Sequence, residues 1–452
     1  MQRRRTIALA CIASLGGFLF GFDTAVISGT VLRLKETLNL SPEGLGFVVS
    51  SALLGSVLGS ALSGWLSESY GRRASLKISG LLFFSSAAFC YVATTFIPLI
   101  LARFLGGIGI GVAAMVAPLY IAEISPAAIR GRLVSTWQLS ITLGILGAYL
   151  SNAALSHLPG ISMWQTMFGA EMIPALTFFL LLFTIPESPR WLWKKDPTTA
   201  KKTMIQLLGK SEGKAELQRI RAQETSTGEL KEHKTAIGMA FLLVIAAQFS
   251  GINAVIYYGP KIFSDAGFAS NTWFSSTVAL GVINVLATIP AILKIDTMGR
   301  RPLMLTGSIG ACFCLILASI TLSGWAQLPL IPIIGTYLAC FAFSLGPVTW
   351  VIISEIFPVS IRGKAMSLTT LVMWVATALV AQTFPMLSAY AGPSATFLFY
   401  AACLVPHIAY VYLKVPETRG RSVEKNLFQE QTPAPHLNKD YVFEKNPLSS
   451  RD

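Results

Sequence analysis

Three ionisable residues, Asp23, Arg103 and Glu171, stand inside stretches otherwise built from apolar side chains. In hydrocarbon each charge costs about 2.5–3.5 kcal/mol on insertion scales, so these residues have to find partners. One Arg between two carboxylates leaves the set one positive charge short, and a proton can make up the difference. Such a set could take up and release a proton, with Asp23 as acceptor, Arg103 as counter-ion and Glu171 as competing partner. The same three residues would also serve as a fixed ion network that locks helix packing.

A second group consists of side-chain amides, Gln138, Gln248, Asn253 and Asn284, again in apolar surroundings. An amide in hydrocarbon is costly unless it faces a cavity or a partner. Four amides with the indole planes of Trp350 and Trp374 suit a cavity for a neutral, hydroxyl-rich solute with an apolar ring face. Each amide could instead tie two helices together, and each Trp could be packing or part of an interfacial belt. Trp374 lies about ten residues into its span, too deep for a belt.

The elements that position these groups must be membrane helices. The chain has 452 residues, 53% hydrophobic and 13% charged, where soluble domains carry about a quarter charged. One soluble core could not hide that much apolar surface. Residues 303–354 and 365–413 contain no Asp, Glu, Lys or Arg. A crossing needs about 20 residues, so each run is two helices, turning at Ser323-Gly324 with Pro329 and at Ala391-Gly392-Pro393. The predicted spans are 6–29, 43–66, 74–94, 98–121, 132–155, 164–185, 236–258, 273–294, 303–323, 329–354, 364–388 and 393–414. Arg3-Arg4-Arg5 and the apolar run after it look like a signal peptide. The run is too long, however, contains Asp23 and is followed by further spans, so it is read as the first retained helix.

Twelve spans put both termini on one side. On that side fall 31 Lys and Arg, against 3 on the other, which makes it the cytoplasmic side. The net charge of +13 therefore reflects topology, and no nucleic-acid partner is expected. The six cysteines all fall in spans, so neither a disulfide framework nor a zinc site is expected. His157, His233, His407 and His436 are scattered, and no nucleophile elbow or phosphate loop is visible. Neither enzymatic activity nor a cofactor is expected.

The chain repeats itself. Glu68-Ser-Tyr-Gly71-Arg72-Arg73 recurs as Asp296-Thr-Met-Gly299-Arg300-Arg301, 228 residues on. Glu123-Ile-Ser-Pro-Ala-Ala-Ile-Arg130 recurs as Glu355-Ile-Phe-Pro-Val-Ser-Ile-Arg362 at an offset of 232, and Pro186-Glu-Ser-Pro-Arg190 is echoed by Pro416-Glu-Thr-Arg-Gly420 at 230. Three motifs at nearly one offset indicate two six-helix halves in parallel repeat, the arrangement that supports alternating access by rocking about a midplane site. The expected organisation is an all-α membrane protein of twelve helices. Its first half would be 1–185, a linker with amphipathic helices 186–235, its second half 236–414 and a cytoplasmic tail 415–452.

With Arg103-Phe-Leu-Gly-Gly-Ile-Gly-Ile-Gly111, Gln248-Phe-Ser-Gly-Ile-Asn253 and Tyr257-Tyr258, these motifs resemble the sugar porter family of the major facilitator superfamily over residues 6–421. Bacterial sugar–proton symporters and facilitative glucose transporters are the nearer likeness. The resemblance implies monosaccharide transport coupled to a proton, since symporters of the family tend to carry Asp where Asp23 stands and facilitators Asn. It implies that Gln138, Gln248, Asn253, Asn284, Trp350 and Trp374 contact sugar, with Phe20 and Tyr258 as walls. It further implies that Glu68, Arg72, Arg73, Glu123, Arg130, Glu187, Asp296, Arg300, Arg301, Glu355 and Arg362 form ion pairs that close the cytoplasmic side when the outside is open. Plain positive-inside anchoring would explain those Arg residues but not the matched Glu123 and Glu355.

Ala247, Met373 and Thr377 depart from the family pattern, where Gln, Gln and Asn are common, and leave a less polar pocket. Gln165 stands where many relatives have Arg. A facilitator without proton coupling is the alternative within transport, and a sugar sensor of the same fold the alternative outside it, though 415–452 is short for a signalling tail. A single chain is expected to work as a monomer in a cell membrane, with the bacterial inner membrane favoured.

Overall fold

The computed structural model describes residues 2–126, 129–157, 163–223 and 233–419, and all regular structure among them is helical. Eleven helical stretches, from Arg4–Thr37 to Pro393–Lys414, are long and apolar enough to cross a membrane. The first five are α1 (Gln2–Thr37), α2 (Pro42–Tyr70), α3 (Arg72–Val92), α4 (Phe96–Ile124) and α5 (Arg130–Leu155). The sixth crossing is split into α6 (Met163–Gly169) and α7 (Met172–Leu181), which makes twelve in all.

The linker forms α8 (Pro189–Lys195), α9 (Pro197–Leu208) and α10 (Lys210–Gln223). The second half has α11 (Lys234–Phe249) with α12 (Ile252–Asp265), then α13 (Ser270–Met298) and α14 (Arg300–Leu322). It ends with α15 (Leu330–Phe343) and α16 (Leu345–Ile356), α17 (Val359–Tyr390) and α18 (Pro393–Lys414).

Three crossings expected to be continuous are broken, and each break has a local cause. A proline removes one helical hydrogen bond, and its ring collides with the carbonyl four residues earlier. Pro174 and Pro347 put that collision at Ala170 and Phe343, next to the interruptions at Glu171 and Ser344. There the chain turns with shorter bonds, Glu171 N–H to Phe168 O at 3.1 Å and Ser344 N–H to Phe341 O at 3.2 Å. In the seventh crossing Gly251 adopts φ +84, and a Cβ there would come within 2.6 Å of the Tyr400 ring of α18. Only glycine fits both demands.

Close helix contact builds the first half. A Cβ on Gly107 of α4 would lie 1.8 Å from the Ala52 carbonyl of α2, and one on Gly55 of α2 would lie 2.1 Å from the Phe104 carbonyl of α4. Small residues facing each other let two backbones touch in this way. That contact fixes the turn of α4 carrying Arg103.

The halves are joined on the face away from the linker. Away from the linker, the Tyr149 hydroxyl of α5 donates to the Ile256 carbonyl of α12 at 3.0 Å, and Ser50 of α2 donates to Gln382 of α17 at 2.9 Å. Gln382 in turn donates to the Glu43 carbonyl at 3.1 Å. On this far face one buried core runs through both halves, joining Ile27 and Tyr149 to Ile256 and Phe384. On the linker face the second half keeps a separate core around Met239, Ile352 and Val411. Met204 and Leu207 of α9 join the first half's core, and Thr6 of α1 donates to the Leu207 carbonyl. The molecule is closed on the far face.

Candidate functional site

Asp23 of α1 and Arg103 of α4 form a buried pair, with Nη1 2.6 Å from Oδ1. Glu171 sits at the break between α6 and α7, and all three residues are 2% exposed. The guanidinium lies 5.3 Å from the centre of the Phe168 ring, a cation–π contact that adds to its hold. The Glu171 carboxyl stands within hydrogen-bonding reach of the Asp23 carboxyl. No donor reaches Asp23 Oδ2 or Glu171 Oε1 among the described residues. Two carboxylates are acceptors only, so a stable contact between them needs a proton in the middle. Beside the cluster Gly106 leaves room for Ser86 of α3, whose Oγ a Cβ there would meet at 2.4 Å. The structure thus brings together all three charges singled out in the sequence.

Of the four amides, the hydrogen bonds among the described residues join Gln248 and Asn253. Gln138 of α5, Gln248 at the end of α11, and Asn253 at the start of α12 are half-buried, while Asn284 of α13 is buried. Asn253 Nδ2 donates to Gln248 Oε1 at 2.7 Å, and Thr377 Oγ1 lies 3.1 Å from the same oxygen. The break at Gly251 lets these two amides face each other. With the Gln248 oxygen so engaged, its NH₂ and the Asn253 carbonyl are left to meet a solute, a donor beside an acceptor.

Trp374 of α17 is buried and meets Phe20 of α1 edge-on, ring centres 5.4 Å apart, across the halves. Its indole N–H is buried without a partner, so it can donate as well as stack. Trp350 of α16 is half-buried against the separate core of the second half. Tyr258 is fully buried, stacked on Phe384 at 4.9 Å, and its hydroxyl is spent on the Ala381 carbonyl at 2.8 Å. Its side chain has no free polar group.

The charge motifs on the linker face repeat almost atom for atom. Arg72 binds Glu123 through Nε and Nη2, both at 3.0 Å, and Nη1 donates to the Ser67 carbonyl. Arg300 binds Glu355 at 3.2 and 2.8 Å, and its Nη1 donates to the Ile295 carbonyl. Ser188 closes the first bracket on Glu123 at 2.5 Å, and Thr418 the second on Glu355 at 2.5 Å.

Glu187 accepts the backbone N–H of Arg72 and Arg73 at 2.9 and 3.1 Å, and Glu417 those of Arg300 and Arg301 at 3.0 and 3.1 Å. Each carboxylate thereby caps the positive end of a helix, α3 or α14. Burial pushes the Glu187 carboxyl up against the pull of these bonds. Glu417 feels burial too, but the N–H groups of Arg419, Arg300 and Arg301 outweigh it and hold the carboxyl below its ordinary value.

Other members of the set behave differently. Glu68 binds Arg72 and Lys194, both at 3.1 Å. Arg73 donates to the Phe183 carbonyl at 2.8 Å and Arg301 to that of Tyr412. Arg130 and Arg362 donate to the matched carbonyls of Ser125 and Phe357 at 3.3 and 3.2 Å, and Arg130 also pairs with Glu216 of α10 at 2.7 Å. The matched Arg130 and Arg362 thus share one carbonyl contact, and among the described residues only Arg130 adds an acid from a linker helix. The side chain of Asp296 lies outside the described residues. Sequence reasoning missed Ser188, Glu417 and Thr418, although the echo of Pro186-Glu-Ser in Pro416-Glu-Thr carried the signal. It also missed Glu216, Glu43 and Gln382, which nothing local marks.

A family model described as "Sugar (and other) transporter" matches residues 9–426. The arabinose-proton symporter of Bacillus subtilis is 38% identical over 93% of this chain and 94% of its own length. The D-xylose-proton symporter of Escherichia coli K12 is 36% identical over 92% of this chain and 94% of its own. An inward-open structure of the E. coli xylose transporter XylE superposes with a TM-score of 0.83 at 35% identity, covering 93% of this chain and 99% of that one. The family match over residues 9–426 and the structural match over 93% of the chain agree with the twelve crossings, and the chain belongs to the sugar transporter family of the major facilitator fold.

Proposed function

We propose that this protein is a secondary active transporter that carries a monosaccharide together with a proton by alternating access. The observation that carries this reading is the buried facing of Asp23 and Glu171 around the single cation Arg103. A facilitator needs no such acid pair; a symporter needs a site whose charge changes by one. The relatives named for arabinose–proton and D-xylose–proton symport support the same class. Asp23 is the proton acceptor, Arg103 its counter-ion and Glu171 the competing partner.

Gln138, Gln248, Asn253 and Asn284 bind hydroxyls, Trp350 and Trp374 cover the ring, and Phe20 and Tyr258 wall the cavity. The linker face, rich in Lys and Arg, is cytoplasmic with both termini, and the protein works as a monomer in a bacterial cytoplasmic membrane. With the far face closed, the sugar site opens inward. The two brackets keep each half rigid in this state, and their acids and guanidinia approach across the halves when the cytoplasmic side closes.

The test is uptake by purified protein in sealed liposomes, with D-xylose, arabinose and galactose offered in turn while internal pH is recorded. Wild type accumulates sugar under an inward acid gradient and acidifies the lumen. Asp23→Asn loses accumulation and retains exchange of labelled for unlabelled sugar. Accumulation against a gradient by Asp23→Asn would defeat the assignment.

A further inference from the structure

Beside the Asp23–Arg103 pair lies a cavity of about 10 Å³, the size that holds one water molecule. Four polar residues line it: Asp23, Thr24, Arg103 and Tyr257. The rest of its wall is apolar, from α1, α2 and α4. Thr24 Oγ1, Asp23 Oδ2 and Arg103 Nε are buried without a hydrogen-bond partner, and Tyr257 is 2% exposed. A buried water needs two to four polar partners, and an orphaned hydroxyl in such a place is costly. Donor and acceptor count agrees as well. Arg103 Nε–H can only donate and the Asp23 oxygen can only accept, while the Thr24 and Tyr257 hydroxyls can do either.

We propose that one water molecule bound here links the Tyr257 and Thr24 hydroxyls to the Asp23–Arg103 pair, making Tyr257 the positioning residue through which the second half senses the proton site. This inference rests on the proton-coupled reading given above and deepens it. Tyr257 is the one residue of the second half on the cavity wall; the others belong to α1, α2 and α4. It arrives there because α12 packs on α1 when the far face closes, the closure that also seats the Tyr149 hydroxyl on the Ile256 carbonyl next door. The bound water completes its partners only in that closed arrangement. Docking of α12 therefore changes the solvation of Asp23, and the protonation of Asp23 changes how well α12 docks.

The ionisable groups facing Asp23 are Arg103 from α4, Glu171 from the α6–α7 break, Cys90 from α3 and Tyr257 from α12. From α2 only Val49, Ala52 and Leu53 reach the cavity. The water is thus the single polar connection from the acid to the other half at this site.

The experiment uses the full-length protein in liposomes, with whichever of D-xylose, arabinose or galactose it carries fastest. Tyr257→Phe and Thr24→Val each remove one oxygen, Thr24→Ser restores one, and Asp23→Asn serves as the control. Counterflow, which needs no net proton movement, reports that each variant is folded. The pH midpoint of sugar-driven proton uptake moves by about one unit in Tyr257→Phe and in Thr24→Val, the tenfold change that a lost hydrogen bond to an ionised group produces. The double variant moves no further than the larger single shift, because both lose the same water, and Thr24→Ser returns to the wild-type profile.

Midpoints unchanged in both single variants, or shifts that add in the double variant, overturn the inference. If Tyr257→Phe does not fold, Thr24→Val and Thr24→Ser decide alone. Accumulation by Asp23→Asn refutes proton coupling itself; loss of accumulation there with an unmoved Tyr257→Phe profile refutes only the water link.

Discussion

Neutralising the acid of each linker-face bracket should have unequal consequences in the two halves, even though the brackets share one geometry. Glu123→Gln and Glu355→Gln keep shape and remove one negative charge from a two-point contact with Arg72 or Arg300. The first pair is the more buried, with side-chain exposures of 6% for Arg72 and 3% for Glu123. The second pair stands at 10% for Arg300 and 26% for Glu355. Removing one partner of a buried pair costs about 3–5 kcal/mol, because the remaining charge stays desolvated. A solvated pair is worth only about 0–1 kcal/mol, and Glu355 lies between these limits, which gives about 1–2 kcal/mol.

The expected gap between the variants is therefore about 2 kcal/mol, close to thirtyfold in the folded-to-unfolded ratio. Glu68 remains beside Arg72 at 3.1 Å, but at 52% exposed it cannot replace a buried acid. The assay is unfolding of the purified protein by a denaturing detergent, followed by tryptophan fluorescence and repeated from the unfolded side. Equal losses, or a larger loss in Glu355→Gln, would refute the reasoning that burial sets the strength of these brackets.

Further outcomes follow from single contacts. Gly107→Ala forces a methyl against the Ala52 carbonyl, 1.8 Å from the ideal Cβ, at a cost at or above the upper end of about 1–3 kcal/mol for overpacking. It is expected to yield little monodisperse protein and no uptake, and wild-type uptake would contradict the α2–α4 packing. Thr377→Val removes the hydroxyl near Gln248 Oε1 while Asn253 still holds that oxygen. The sugar KM should rise about three- to tenfold with little change in kcat, the effect of one modest hydrogen bond. On acidification from neutral pH, Glu187 should take its proton before Glu417, since burial raises the one and backbone N–H bonds lower the other. Infrared difference spectra, with Glu187→Gln and Glu417→Gln assigning the bands, would read the order, and a reversed order would contradict it.

The twelve crossings and the two halves were legible because both rest on patterns that one dimension preserves: apolar length and motif repetition. The charges of the triad were legible for a similar reason, since Asp, Arg and Glu in apolar runs have few alternatives to meeting one another. The helix breaks were not. Pro118, Pro290, Pro385 and Pro406 stand inside unbroken helices, so in sequence Pro174 and Pro347 read equally well as mild kinks in a continuous span. The interruption that puts Glu171 against Asp23 became visible only with the fold in hand. Contacts between the halves were the least accessible. Ser50 with Gln382 and Tyr149 with the Ile256 carbonyl join residues more than a hundred positions apart through ordinary polar groups that carry no mark of their partner. The matched Arg130 and Arg362 show the opposite failure. Equal motifs implied equal roles, but among the described residues only Arg130 gains an acid from a linker helix, Glu216.

One turn of α1 holds the pieces that a coupled carrier has to connect. Phe20 touches Trp374 of the second half, Asp23 binds Arg103, and Thr24 shares the water-sized cavity with Tyr257. In an α-helix three residues advance about 4.5 Å, so the ring contact at Phe20 and the acid at Asp23 are within one helical pitch of each other. A rotation or axial shift of this turn large enough to release Phe20 from Trp374 must therefore strain the 2.6 Å bond between Asp23 and Arg103. In the proposed function, sugar occupancy and acid pairing would compete for the position of this one short segment, and coupling would require no longer path through the protein.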